Sequence, residues 1–428
     1  MKVRFKFAQE WVEVEIPDEN LIAEIHPAQD IGTGRDEARF PQSEEGIRDE
    51  ERIVRAALEK PLGTPRLHKI VKPGERVVIV TSDITRPMPS HKVFPGVVEE
   101  LIKGGVVDGN ITVVLGLGIH RPHTEAEREK LVGADIARRI RVKDSNPDDT
   151  VLLGHTKRGT PVRVDRMVAE ADRRVLLGNI EYHYFAGYSG GMKAIMPGVS
   201  TREAIRNNHG FMLEAGAEAG RIEGNPVRED IDEALSLCPV DFILNVVLSE
   251  EKRIVGAFAG HPIQAHRQGC RMLDRLYKTP IPERADIVVV SAGGFPKDIN
   301  LYQAQKALDN AKYAVKEGGI IIFHAACSEG YGEPLFEEWM KTKPPRDMLR
   351  EIRENFRLGA HKAAAIAAVM GKAEIFFVSA LPPSEIPPGM RPFATIQGAV
   401  EEAFQIKGKN AKVIAMPLGG STLPVIEK

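Results

Sequence analysis

Three cysteines in 428 residues, Cys238, Cys270 and Cys327, stand far apart and are odd in number. That excludes a disulfide framework and a Cys-x-x-Cys metal site, and leaves buried small thiols as their ordinary use. Charge imbalance is missing as well: 58 basic residues face 60 acidic ones, a formal net charge of -2. Nothing in that balance points to nucleic acid or to a membrane surface as partner. No apolar run approaches the ~20 residues needed to span a bilayer, and residues 1–11 lack the long apolar core of a signal peptide. The expectation is a cytoplasmic protein. Internal repeats and low-complexity tracts are also absent.

What is present is an ordinary globular composition, 43% hydrophobic and 28% charged, in a chain long enough for two cores. Residues 2–16 alternate apolar and polar, which predicts a β-hairpin; residues 26–46 are polar with glycines and prolines; residues 47–58 read as an amphipathic helix. The short apolar run of β-branched residues at 76–80 is typical of a strand buried on both faces of a parallel sheet, and further strands are expected at 111–115 and 174–177. Helical patterns at 94–103 and 125–131 separate them. Each strand empties into a polar loop, and such carboxyl ends are where ligands bind in α/β proteins. The loops carry Asp83 and Arg86, then His120, then the glycine- and aromatic-rich stretch 180–199 with His183 and Lys193.

Helices are expected at 201–219, containing His209, at 226–237 and at 263–276, with a strand at 241–247. Residues 277–284, with two prolines, read as an interdomain linker. A second α/β unit follows, with strands at 286–291, 320–323, 374–378 and 412–416 and helices at 301–316, 360–370 and 396–404. The fold expected is therefore α/β: two α/β domains with largely parallel sheets and an interdomain active-site cleft. The first would cover residues 1–275 plus a returning tail, 414–428, and the second residues 283–408.

Several groups could do chemistry. A lone histidine at a strand end is usually structural, but His120 and His183 at equivalent ends could share a pocket and move protons near neutral pH. Asp83 and Arg86 could form a local turn and ion pair, or offer a fork to a carboxylate. Gln303 and Lys306, three apart on one helix face, are either solvated or placed to close on an anionic substrate. Ser189, Gly190 and Gly191 lead into Lys193 like a phosphate cradle. Ala194 breaks the Gly-x-x-x-x-Gly-Lys-Ser/Thr pattern, which argues against a nucleotide-hydrolysing loop and leaves a lysine tethering a cofactor open.

The run His183-Tyr-Phe-Ala-Gly-Tyr-Ser-Gly-Gly-Met-Lys193, with Asn208-His209 downstream, resembles the signature of the nickel-dependent lactate racemase family. Asp83-Ile84-Thr85-Arg86-Pro87, Gly118-Ile-His-Arg121 and Gln303-Ala-Gln-Lys306 match that family's other motifs in the same order. The likeness spans nearly the whole chain. It implies a racemase or epimerase of a lactate-like 2-hydroxy acid, with the first domain holding the cofactor and the catalytic groups and the second closing over the substrate. Lys193 would carry a pyridinium-3-thioamide-5-thiocarboxylic acid mononucleotide. Its sulfurs and one ring carbon bind nickel, with His209 completing a planar site of the kind Ni(II) favours. His120 and His183 would be the acid–base pair, while hydride passes to the cofactor and back. Asp83, Ile84, Thr85, Arg86, Gln303 and Lys306 would grip the substrate.

Loop chemistry adds a phosphate cradle at Ser189, Gly190 and Gly191. Tyr182, Tyr188, Phe295 and Tyr302 flank these segments, as pocket walls or as core. The partners expected are the 2-hydroxy acid and the enzymes that make the cofactor and insert nickel. Two other readings stay open: a pyridoxal-phosphate racemase with Lys193 as its Schiff-base lysine, which leaves His209 without a role, and a nickel- or cofactor-carrying protein without turnover.

Overall fold

Val77–Ser82 (β1), Ile111–Gly116 (β2), Arg173–Ile180 (β4) and Phe242–Leu248 (β5) are apolar on both faces and almost wholly buried. A strand of that kind needs a layer on each side of its sheet. With Arg141–Asp144 (β3) and Ile254–Gly260 (β6) they form a six-stranded sheet in the order β6-β5-β4-β1-β2-β3. All neighbours are parallel except β5 and β6. Residues of the helix Ser90–Lys103 (α1), among them Val93, Phe94, Val97 and Leu101, pack into the core on one face.

This computed structural model describes residues 1–27, 44–118, 120–249, 252–357 and 359–427, without the side chains of 44–48. Most of the polar stretch expected at 26–46 lies outside the described residues. Among those described, no helix is long and apolar enough to cross a membrane.

The chain divides into two units, Gly34–Asp274 and the combination of Met1–Thr33 with Arg275–Lys428. The second unit has its own six-stranded sheet, all parallel, in the order Met390–Phe393, Ala373–Val378, Val315–His324, Ala285–Ser291, Val413–Met416, Leu21–Glu24. Two expectations are corrected here. The N-terminal segment belongs with the C-terminal half, because Leu21–Glu24 pairs with Val413–Met416 and the hairpin Lys2–Phe7/Glu10–Glu15 sends Val3, Phe5 and Val14 into that unit's core. The tail 414–428 stays in the same unit for the same reason. Residues 277–284 are also more than a linker: Lys278–Ile281 pairs in parallel with Leu423–Ile426, in a two-stranded sheet whose edges tolerate proline.

Two helices are shorter than their patterns suggest. Arg202–Gly210 (α2) ends in a 3-10 turn, Phe211–Leu213, and Leu301–Ala311 stops before the strand that begins at Val315.

Candidate active site

Chain order fixes where a ligand can sit in the first unit. From β1 the chain goes to β2 on one side and later returns to β4 on the other, so β1 and β4 flank a topological switch point, where the loops beyond the strand ends diverge. The loops leaving β1, β2 and β4 are residues 83–89, 117–123 and 181–199. They are tied together: Gly118 N–H donates to the Gly198 carbonyl at 2.9 Å, and a side chain at Gly116 would meet that same carbonyl at 3.0 Å.

In the first loop Asp83 is 4% exposed. Its Oδ1 accepts from the Thr85 N–H at 2.8 Å and the Thr85 hydroxyl at 2.5 Å, and its Oδ2 pairs with His120 Nδ1. Burial pushes the carboxyl up, but the hydrogen bonds from His120 and Thr85 outweigh it and hold the group below its usual range. An ionised Asp83 can only accept, so His120 carries its proton on Nδ1 and keeps Nε2 as the basic nitrogen. Asp83 and Thr85 bind each other, and Asp83 orients His120. Arg86 is the exposed cation of the loop, and Ile84 contributes its backbone N–H to His123 Nε2 at 3.1 Å.

The third loop is a small hairpin, Tyr182–His183 against Gly187–Tyr188, followed by a 3-10 turn, Gly191–Ala194, that carries Lys193. Phe185 is its hub. Its ring lies 4.5 Å from His183 and 4.9 Å from His209 between centroids, and 6.0 Å from Lys193 Nζ. His183 Nδ1 accepts from the Ala186 N–H at 3.3 Å, so its neutral ring carries the proton on Nε2.

His183 retains partial solvent access but is closely surrounded. Burial, then Lys193, Arg86, His209 and Arg228, push it well below its ordinary value. Lys193 is likewise held well below the usual lysine range, by burial and then by Arg228 and Arg86. Arg86 therefore acts on both. His209, 7% exposed on α2, has Nδ1 at 2.8 Å from the Ile205 carbonyl. That fixes the proton on Nδ1 and makes Nε2 the electron-pair donor. Its neighbour Asn208 is structural, donating to the Val227 carbonyl and Asp230.

The hairpin keeps its shape because donors from outside meet its carbonyls in turn. Asn225, N-cap of the helix Pro226–Leu237 (α3), donates to Phe185 at 2.9 Å, and Gly220 N–H donates to Gly187 at 3.0 Å. Arg228 Nε donates to Ala186 at 3.2 Å and Nη2 to Tyr188, while His266 on the helix Pro262–Tyr277 (α4) reaches Ser189 at 2.8 Å. Gly187 is required twice over, by φ +75° and by the Arg221 carbonyl that a Cβ would meet at 1.9 Å.

The segment expected to cradle a phosphate, Ser189, Gly190 and Gly191, is held by its neighbours. The Ser189 hydroxyl donates to the Asn179 carbonyl at 2.8 Å, and the Gly191 N–H donates to Asn245 Oδ1 at 2.8 Å. A Cβ on Gly190 would meet that Asn245 oxygen, and one on Gly191 would meet the His266 ring. Tyr182 and Tyr188 turn their hydroxyls to Asp274 at 3.0 and 2.7 Å, which makes them supports of the hairpin.

Gln303 and Lys306 lie in the second unit, exposed on one face of Leu301–Ala311. In that unit Phe295 is exposed and Tyr302 stacks under Lys362, with Nζ 3.9 Å from the ring centre. The three cysteines are free and buried.

Comparison with known proteins bears on what this arrangement is for. A model of the lactate racemase N-terminal domain matches residues 7–220, and one of the lactate racemase C-terminal domain matches residues 281–424. The lactate racemase of Thermoanaerobacterium thermosaccharolyticum is 34% identical over 386 residues, 87% of this chain and 90% of that one. The chain belongs to the lactate racemase family. A second member, the lactate racemase of Lactiplantibacillus plantarum, is 32% identical over 86% of this chain and 90% of its own. The structure of the lactate racemase apoprotein from T. thermosaccharolyticum superposes over 100% of both chains, with a TM-score of 0.84 and 29% identity. A crystal structure of a Thermotoga maritima protein, 18% identical with a TM-score of 0.58 over 89% of this chain and 98% of that one, shares the fold. Lactate racemases are isomerases, and this lactate racemase family member is placed in that enzyme class.

Sequence reasoning missed the supports of the site: Arg228, His266, Asn225, Asn245 and His123. The one signal available was that several are polar residues inside apolar helical or strand patterns. His266 makes a measurable prediction. Burial and Arg228 push it down to about 3, with Asp232 opposing. A ring that is neutral in the fold and protonates near 6.5 when unfolded contributes its stability fully above that value and loses it as pH falls toward about 3. Stability should fall by about 1.4 kcal/mol per pH unit below ~6 on account of this ring. His266→Gln, which keeps a donor for Ser189, should flatten that slope in urea unfolding series; an unchanged slope would contradict the assignment.

Proposed function

We propose that this enzyme racemises a 2-hydroxy acid, lactate being the substrate its relatives are named for. In this reading Lys193 and His209 hold a nickel-pincer nucleotide, and His120 and His183 are the two acid–base groups. The observation that carries it is a pair of histidines in complementary tautomers, on the loops that leave β2 and β4, the strands on either side of β1. His120 presents Nε2 as a base because Asp83 takes Nδ1–H, and His183 presents Nε2–H as an acid because Ala186 N–H occupies Nδ1. A racemase needs one of each for either enantiomer, with the roles exchanged in the reverse direction.

The residues also fit the cofactor. A metal-binding histidine ordinarily donates its other ring N–H to a carbonyl, as His209 does to Ile205. Among the described residues no three His, Cys, Asp or Glu side chains gather to hold a metal, so an ion bound by His209 takes its other ligands from a non-protein group. Burial and the nearby Arg228 and Arg86 disfavour the ammonium form of Lys193, which biases it toward the nucleophilic amine that a covalent tether requires.

When bound, that group supplies a reversible hydride acceptor and spares the reaction a carbanion beside a carboxylate. The chain supplies the rest. Arg86 pairs with the substrate carboxylate, His120 Nε2 takes the hydroxyl proton of one enantiomer, and His183 Nε2–H returns a proton for the other. Gln303 and Lys306 are proposed as further substrate ligands on the family motif alone.

The test is to produce the protein alongside the cofactor-making and nickel-inserting enzymes and to incubate it with single-enantiomer 2-hydroxy acids, lactate first, followed by chiral chromatography. Racemisation is expected. Nickel-loaded protein inert on the whole panel would remove the assignment. Intact mass should show a sulfur-containing adduct that is absent from Lys193→Ala, and an adduct surviving in that variant would place the tether elsewhere.

A further inference from the structure

The loops after β1 and β2 are joined at two adjacent points. One is the contact of His120 with Asp83. The other is Ile84 N–H donating to His123 Nε2 at 3.1 Å. The His123 side chain is 1% exposed, and its Nδ1 lies 2.6 Å from Asp144 Oδ1 at the end of β3. Asp144 Oδ2 accepts from the His123 backbone N–H at 3.0 Å and from Arg128 Nη2 at 2.8 Å.

Those contacts fix the protonation pattern of the ring. The carboxylate holds the proton on Nδ1, which leaves Nε2 able to accept from Ile84. Ile84 sits between Asp83, which orients His120, and Arg86, whose charge reaches His183 and Lys193. The backbone at Ile84 thus bears on the direction of two functional side chains; besides the local bonds of Thr85 N–H to Asp83 Oδ1 at 2.8 Å and Arg86 N–H to the Asp83 carbonyl at 3.1 Å, it is tied to the next loop through His123.

We propose that His123 is a positioning residue: by accepting the Ile84 N–H it fixes the 83–86 backbone, and through it the His120 imidazole and the Arg86 guanidinium. The proposal rests on the acid–base reading of His120.

Three substitutions separate positioning from space-filling in the full-length, cofactor-loaded enzyme. Glutamine carries an acceptor at the distance of Nε2, asparagine is polar but too short to reach Ile84, and leucine fills the volume without an acceptor. Exchange of the Ile84 amide with deuterated water should rise by about tenfold in His123→Leu and His123→Asn, as expected for one lost hydrogen bond, and stay near wild type in His123→Gln. The kcat for L-lactate should follow the same order, falling on the order of 10- to 100-fold in the first two.

Glutamine as impaired as leucine, or leucine with wild-type exchange and kcat, overturns the proposal. His120→Ala serves as the control for the underlying reading: full activity in that variant removes the acid–base role of His120, while the Ile84 exchange still decides whether His123 holds the loop.

Discussion

Alanine at His120 or at His183 is expected to lower racemisation of lactate by ~10²–10⁴-fold, the usual range for loss of a positioned acid–base group, with nickel content and the Lys193 adduct unchanged. Each ring is tied through one nitrogen, His120 to Asp83 and His183 to Ala186 N–H, so the second nitrogen is the one that can exchange a proton with substrate. Asp83→Asn tests the same point from behind. Its retained oxygen keeps the Thr85 N–H, while its new amide would donate to His120 Nδ1 and force the ring proton onto Nε2. The base would then be lost with the imidazole still in place, and kcat should drop about as far as in His120→Ala. Chiral chromatography on lactate measures all three variants, and turnover within tenfold of wild type in either alanine variant would refute the acid–base pair.

The second large effect concerns Arg228. Its guanidinium is fully buried, donates to the Ala186 and Tyr188 carbonyls, and has Asp232 at 3.5 Å, a carboxylate that also binds Arg267 at 2.5 Å. Two arginines thus share one acid, and burial pulls Arg228 below its usual value. Such an arrangement costs stability to build and more to break. Arg228→Met leaves two carbonyls and an acid short of donors, and should destabilise the protein by about 3–5 kcal/mol. The chain between His183 and Lys193 loses its support at the same time, so adduct formation at Lys193 should fall. Arg228→Lys, with its charge but not its fork, should lie between. Urea unfolding and intact mass are the measurements, and a loss below about 1 kcal/mol with normal adduct would show that the hairpin holds itself.

Much of this was legible in the chain. The strands β1, β2, β4 and β5 announce themselves because burial on both faces demands short apolar runs, β-branched above all in β1 and β2, and a parallel sheet then places their loops at one end. The resemblance of its motifs to a known family likewise singles out His120, His183, Lys193 and His209 as candidates. The partners of those residues were not legible. That the Asp83 carboxylate pairs with His120 and Thr85 is set by the fold of two separate loops. The same holds for the contacts of Ser189 with Asn179 and of Gly191 with Asn245.

By itself the sequence determined the α/β class, the order of the loops and the residue types available for proton transfer and covalent attachment, because these follow from local periodicity and side-chain chemistry. Only the tertiary structure decided which unit the N-terminal strands join, which tautomer each histidine holds, and that Arg228, Asn225 and His266 brace the hairpin from 183 to 191. Each of those depends on a backbone or carboxylate group brought close from a distant part of the chain, and no local pattern of residues encodes that distance.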